Sequence, residues 1–111
     1  MRALIDELVA AWKTNDAYRA CAFFAPEAIY HESGRSQLEG RDAILEHFRR
    51  FFRDGPPWRF EVDSVVEEGD CAAVAYRFAV KGSSGEWQER EGCALVRCEG
   101  GLIVHWREYH G

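Results

Sequence analysis

Leu4, Ile5, Leu8, Val9 and Trp12 recur at helical spacing and predict a first helix with one apolar stripe. Asn15 or Asp16 breaks the stripe, and either can cap a second helix. There Ala17, Ala20, Cys21 and Phe24 repeat the spacing until Pro26 ends it. Residues 28–32 are short, aromatic and β-branched, which predicts a strand, and Ser33, Gly34, Arg35 and Ser36 form a loop. Gly40, Arg41 and Asp42 lead into a third helix, with Asp42 as its cap and Ile44, Leu45, Phe48, Phe51 and Phe52 as its stripe. Arg49, Arg50 and Arg53 stand at its end, where they suit the negative pole of the helix dipole. Gly55, Pro56 and Pro57 stop it.

The second half changes character. Residues 58–67 alternate, with Trp58, Phe60 and Val62 against Arg59, Glu61 and Asp63. A turn at Glu68, Gly69 and Asp70 leads into a strand over 71–81 that is apolar on both faces. Gly82 and Gly85 mark the next turn, 86–98 reads as a long strand, and 102–109 is the last, after Gly100 and Gly101. Short glycine turns between successive strands predict an antiparallel meander. Helices first and strands after make the class α+β. Strands with two apolar faces need two covers. The helices supply one, and a second copy of the chain is expected to supply the other, as a homodimer through the sheet. A sheet curved around a helix leaves a cone, and a cone leaves a pocket.

Composition narrows the picture. One domain over 1–111 accounts for the 111 residues and 12.7 kDa. Hydrophobic residues are 47% and charged residues 30%, a globular balance. No apolar run approaches a membrane span. The net charge of −5 has the wrong sign for a nucleic-acid backbone. Acidic residues interrupt the opening stretch, so no signal peptide is expected and the cytoplasm is the expected location. Cys21, Cys71, Cys93 and Cys98 show no Cys-x-x-Cys spacing and read as reduced, buried thiols rather than a disulfide framework or zinc site.

Three local features give the chain a family look: Phe23 to Ala28 before the first strand, Leu38 to Ile44 opening the third helix, and the closing Trp106, Arg107, Glu108 and Tyr109. With the order helix, helix, short strand, helix, four strands, the whole chain resembles the nuclear transport factor two-like superfamily, and within it the SnoaL-like proteins. The resemblance implies a cone-shaped, mostly antiparallel sheet packed on three N-terminal helices, a cystatin-like α+β barrel. It also implies particular residues. Limonene epoxide hydrolases carry a closing Trp-Arg-Asp-Tyr motif whose carboxylate is catalytic and whose Trp lines the pocket; Glu108 and Trp106 match these positions. Arg77 matches an Arg on an earlier strand of those enzymes, while Ala79 stands where they have Asp. Ketosteroid isomerases place a general base just after the first strand, where Glu32 falls. Their oxyanion donors would fall on Leu8 and near Cys93. SnoaL-like cyclases use an acid on the last strand, again matched by Glu108, with a His partner near Cys93 or Ala94 that is absent here.

The residues can be read without the family. Strand parity groups Leu102, Val104, Trp106 and Glu108 on one face, three of them apolar. Burial there would raise the carboxyl's pKa toward neutrality, where a general acid or base works; otherwise Glu108 is a solvated strand end. Arg77, between Ala75 and Ala79, has room for its stem and would orient Glu108 or a ligand oxygen, or else pair with Glu89 or Glu91. Tyr30 and Glu32 share a strand face opposite His31, making Glu32 a candidate second carboxyl. Glu91 is one of two glutamates whose parity could bring it to the pocket. Of the four Trp, Trp106 is the expected pocket wall and Trp12 is expected between helices. His105, Glu108 and His110 do not share one strand face, so no metal is expected.

The expected function is a small SnoaL-like enzyme using general acid–base catalysis on a small apolar molecule, as isomerase, cyclase, hydratase or hydrolase. Glu108, Arg77 and Glu32 would be its chemistry and Trp106, Tyr30, Val104 and Glu91 its substrate wall. No cofactor is expected, because no phosphate-cradling Gly-rich loop is present. The alternative is a non-catalytic small-molecule binding domain, or a dimeric assembly domain working through Tyr76 and Phe78 on its sheet face.

Overall fold

Residues 1–110 are described in a computed structural model. Helix α1 spans Arg2–Lys13 and buries Ile5, Leu8, Val9, Ala11 and Trp12. Asn15 ends it in the left-handed region at φ 57°, a conformation Asn tolerates. Asp16 caps α2, Ala17–Cys21, by accepting from the Arg19 amide at 3.0 Å. Helix α2 stops at Cys21, well before Pro26, so Phe24 does not belong to its stripe. Phe24 instead starts β1, Phe24–His31, with the Arg41 guanidinium clamped on its carbonyl at 2.9 and 2.6 Å. Pro26 lies where the β1 pairing is interrupted between Phe24 and Ile29, a place where a strand can do without one N–H.

Strand β2 is only Leu38–Glu39 and pairs antiparallel with β1. The sequence pattern assigned these residues to the helix approach, since two residues carry no periodicity. Helix α3, Arg41–Asp54, is capped by Gly40 at φ 92° rather than by Asp42, which sits in its first turn. A left-handed φ there favours glycine over any capping side chain.

The remaining strands are β3, Trp58–Glu68; β4, Cys71–Lys81; β5, Trp87–Glu99; and β6, Leu102–His110. They form the antiparallel meander expected from the glycine turns. The six-stranded sheet has the order β2-β1-β6-β5-β4-β3, and β1 joins β6 in parallel. The sheet is therefore mixed. It curls around the helices without closing, with β2 and β3 as its edges.

The core fills the concave side, centred on Trp106, Phe24, Ile5, Leu8, Ile44 and Ile103, all essentially solvent-free. One irregularity sets the geometry of the site. Cys98 pairs with Ile103 but Arg97 pairs with His105, so Val104 is an extra residue on β6, a β-bulge. It lets Ile103 face inward at one end of the strand and Trp106 and Glu108 face inward at the other. Strict parity from Leu102 to Glu108 is broken there. Of the four cysteines, all free, Cys21 is buried, Cys93 and Cys98 are half-buried and Cys71 is exposed, against the expectation of buried thiols. No helix among the described residues is long and apolar enough to cross a membrane.

Candidate functional site

Glu108 is the one charged residue among the described residues that the core buries, at 8% exposure. Burial of a carboxyl demands partners, and two neighbours supply them. Trp106 Nε1 donates to Glu108 Oε2 at 2.9 Å, and Tyr30 Oη donates to the same oxygen at 3.2 Å. The other oxygen, Oε1, lies 3.5 Å from His110 Nε2. His110 Nε2 also shares a hydrogen bond with Tyr76 Oη at 3.1 Å. Burial pushes the Glu108 carboxyl up, and the charge of Glu32 pushes it further; the Trp106 and Tyr30 hydrogen bonds and His110 restrain it without reversing the direction.

Glu32, one residue beyond β1, behaves in the opposite way. Burial pushes its carboxyl up, but the hydrogen bond and charge of His47, with Arg35 and His110 behind, outweigh that and hold it below its ordinary value. His47 Nε2 reaches Glu32 Oε1 at 2.8 Å from the inner side of α3. The Tyr30 hydroxyl is raised well above its ordinary value by burial, then by Glu108 and Glu32. The Tyr76 hydroxyl is likewise pushed up by burial and by Glu108. Both are neutral donors.

These groups stand at one end of a cavity of about 500 Å³. Its walls are aromatic: Phe48, Phe51 and Phe52 from α3, Trp58 and Phe60 from β3, and Phe78 from β4. Stacked and edge-on ring contacts tie these walls together, as in Phe52 on Trp58 at 6.0 Å and Phe60 on Tyr76 at 4.7 Å. A Cβ built on Gly92 would fall 2.5 Å from Tyr76 Oη. Gly92 faces Tyr76 across β5 and β4, and the bare backbone lets the phenol ring lie over it.

Of the expected site residues, Glu108, Glu32, Tyr30 and Glu91 line this cavity. Arg77 does not. It is exposed on the outer face of β4 and pairs with Asp63, Nε to Oδ1 at 3.0 Å; neither Glu89 nor Glu91 is its ion-pair partner, although Glu91 is its register neighbour. Tyr76, one residue earlier, points inward, and parity sends Arg77 away from Glu108. Val104 is the bulge residue and packs half-buried on the core instead of lining the cavity. Trp106 is not a wall but the support under the carboxylate, fully buried with its ring parallel to Tyr30 at 6.3 Å. Trp12 is both a core ring, edge-on to Phe48, Phe60 and Trp106, and part of the cavity wall. Tyr76 and Phe78 also line the cavity, so they do not form an outer assembly face.

His47, His110 and Tyr76 escaped the sequence reading as site residues. For Tyr76 a signal existed, since it shares a face with Phe78. For His47 nothing in the α3 stripe marks it, because its role depends on β1 ending beside the helix.

The sequence profile of the SnoaL-like domain matches residues 5–106, and the chain belongs to that family. No curated protein matches in sequence. Solved structures share the fold at low identity. An NTF2-like protein of unknown function from Burkholderia pseudomallei is 17% identical with a TM-score of 0.88, covering 99% of this chain and 89% of its own. An LEH-like epoxide hydrolase from M. tuberculosis is 16% identical with a TM-score of 0.84, covering 98% of this chain and 80% of its own. A putative SnoaL-like polyketide cyclase from Jannaschia is 15% identical with a TM-score of 0.81, covering 97% of this chain and 83% of its own.

Proposed function

We propose that the protein is a small-molecule enzyme that works by general acid–base catalysis, as an isomerase, cyclase, hydratase or hydrolase, on an apolar substrate held in the aromatic cavity. One observation carries the reading: two carboxyls line the same cavity with their pKa values driven in opposite directions, Glu108 up and Glu32 down. That division lets one carboxyl hold a proton while the other is ionised at the same pH. Glu108 would exchange its proton through Oε1, since Oε2 already accepts two hydrogen bonds. Neutral Tyr76, bonded to His110, would donate to an oxygen that gains charge. Solved relatives of the fold include an LEH-like epoxide hydrolase and a putative polyketide cyclase, which agrees with acid–base work of this kind. We also propose that the outer sheet face closes against a second copy. The exposed Val66 and Leu95, with the small Ala73 between them in one cross-strand row, and the exposed Tyr109 in the next row support that face as the contact.

The test is a panel of small epoxides, enones and lactones, assayed by mass spectrometry with the wild type and Glu108→Gln. Turnover that disappears in Glu108→Gln, with the far-UV and near-UV circular dichroism unchanged, supports the enzyme. Binding without turnover in both proteins replaces it with a non-catalytic binding domain. Sedimentation of the protein across a concentration series decides the dimer.

A further inference from the structure

The exposed part of the cavity lining comes from the loop that follows β1, from Pro56 after α3 and from the first residues of β5. Two guanidinium groups line this mouth, Arg35 from the loop and Arg90 from β5. Neither side chain has an ion-pair or hydrogen-bond partner among the described residues, and both are exposed. That sets them apart from most arginines of the chain. Arg2, Arg50, Arg53 and Arg97 are paired with carboxylates, and Arg59 and Arg107 lie over aromatic rings.

Arg35 acts on the charge of Glu32 from a distance but is not its bonded partner. Glu32 is engaged by His47 at 2.8 Å, and burial biases Glu108 toward its neutral form. Glu91 is the remaining carboxylate of the lining, against Arg35 and Arg90. The unengaged charge at the mouth is therefore positive, while the protein as a whole carries −5. Below the mouth the wall is apolar and aromatic, through Phe51, Phe52, Trp58 and Phe78. A guanidinium reads a carboxylate by paired N–H donors. A dianion would also meet the Glu91 carboxylate of the same lining, which favours a single negative charge.

We propose that the ligand is an amphiphilic monocarboxylate. Its carboxylate docks on Arg35 and Arg90, its apolar body lies on the aromatic wall, and its reacting atom faces Glu108 Oε1. The proposal rests on the enzyme reading of this cavity and names the substrate class for it.

The experiment uses three matched probes, 4-phenylbutyrate, 4-phenylbutyramide and 4-phenylbutylamine, titrated by calorimetry and by quenching of tryptophan fluorescence. The wild type is expected to bind the acid about tenfold more tightly than the amide, with the advantage shrinking as salt rises. The double variant Arg35→Gln/Arg90→Gln is expected to bind acid and amide alike, at the wild-type affinity for the amide. Equal affinities for acid and amide in the wild type, an acid preference that survives the double variant, or a preference for the amine each overturn the proposal. Glu108→Gln separates the two readings. Loss of turnover with the acid preference kept supports both, whereas turnover that depends on Glu108 without any acid preference overturns this inference alone. If none of the three probes binds while the epoxide, enone and lactone panel is still turned over in a Glu108-dependent way, this inference falls and the enzyme reading stands.

Discussion

The indole N–H of Trp106 is bonded to the Glu108 carboxylate at 2.9 Å from two residues earlier on the same strand. A strand repeats its side-chain direction every second residue, so the donor and acceptor stand side by side on the concave face. Tyr30, from the parallel neighbour β1, bonds the same Oε2 at 3.2 Å. One oxygen of the carboxyl thereby accepts both hydrogen bonds, and the other lies 3.5 Å from His110 Nε2.

Both donors hold down a pKa that burial raises. Trp106→Phe and Tyr30→Phe should each push the Glu108 carboxyl further up. Each should also cost about 1–3 kcal/mol, because a buried polar group loses a partner. Tyr30→Phe keeps the ring that stacks on Trp106, so its loss of stability should be the smaller of the two. The pH midpoint of the Glu108 side-chain carbon resonance, compared with wild type, is the measurement. An unmoved midpoint in both variants would mean that the two bonds do not set the carboxyl's acidity.

The two carboxyls should also leave opposite marks on stability. For Glu108 the folded pKa lies above its ordinary value of 4.5. Its favourable contribution is fully present below pH 4.5 and is lost as pH rises through the folded value. Glu108→Gln should therefore gain melting temperature relative to wild type as pH is raised. For Glu32 the folded pKa lies below its ordinary value of 4.5. Its contribution is present above pH 4.5 and is lost as pH falls through the folded value. Glu32→Gln should be less stable than wild type at neutral pH by about 1.5–3 kcal/mol, the range for hydrogen bonds to charged groups, and the gap should close in acid. Melting curves for the three proteins across pH 3–9 would show two difference curves of opposite slope, and parallel curves would contradict the division of roles.

Gly92 tests the packing of the phenol that touches His110. An added methyl would meet Tyr76 Oη and Cζ at 2.5 and 2.6 Å. The ring has buried neighbours and is stacked on Phe60 at 4.7 Å, so it cannot step aside freely. Gly92→Ala should cost about 1–3 kcal/mol by overpacking and break the bond between Tyr76 and His110. Thermal unfolding reads the first effect and the His110 ring resonances read the second. A variant as stable as wild type, with its His110 signals unchanged, would mean that the phenol has room to move.

The large elements were legible in the sequence because each one repeats. The α1 stripe, the α3 stripe and the alternation of β3 recur over several turns or residue pairs, and glycine turns separate the hairpins. That Glu108, Glu32 and Tyr30 face one cavity was legible for the same reason, since strand parity groups Glu108 with Trp106 and Glu32 with Tyr30. Breaks in regularity were not legible. The bulge at Val104 shifts the parity of β6, the interruption around Pro26 hides the start of β1, and the two residues of β2 are too few for a pattern. Long-range pairings were hidden as well. The closeness of His47 to Glu32, and of His110 to Tyr76, follows from α3 and the strand ends converging in space, which no local spacing encodes.

Arg77 is the sharpest test of where the site ends. Its neighbour Tyr76 is buried and lines the cavity, so Arg77 must leave the opposite face of β4. There it meets Asp63, which lies beside the register shift of β3 between Val62 and Ser64. Both partners are about 43% exposed in their side chains, and exposed ion pairs contribute little. Arg77→Ala should therefore leave ligand affinity, turnover and the titration of Glu108 at wild-type values. Tyr76→Phe, one position away, removes the partner of His110 and should lower turnover while the fold survives. If Arg77→Ala instead reduces turnover as far as Tyr76→Phe does, the outer face of the sheet takes part in the chemistry, and the site extends beyond the cavity.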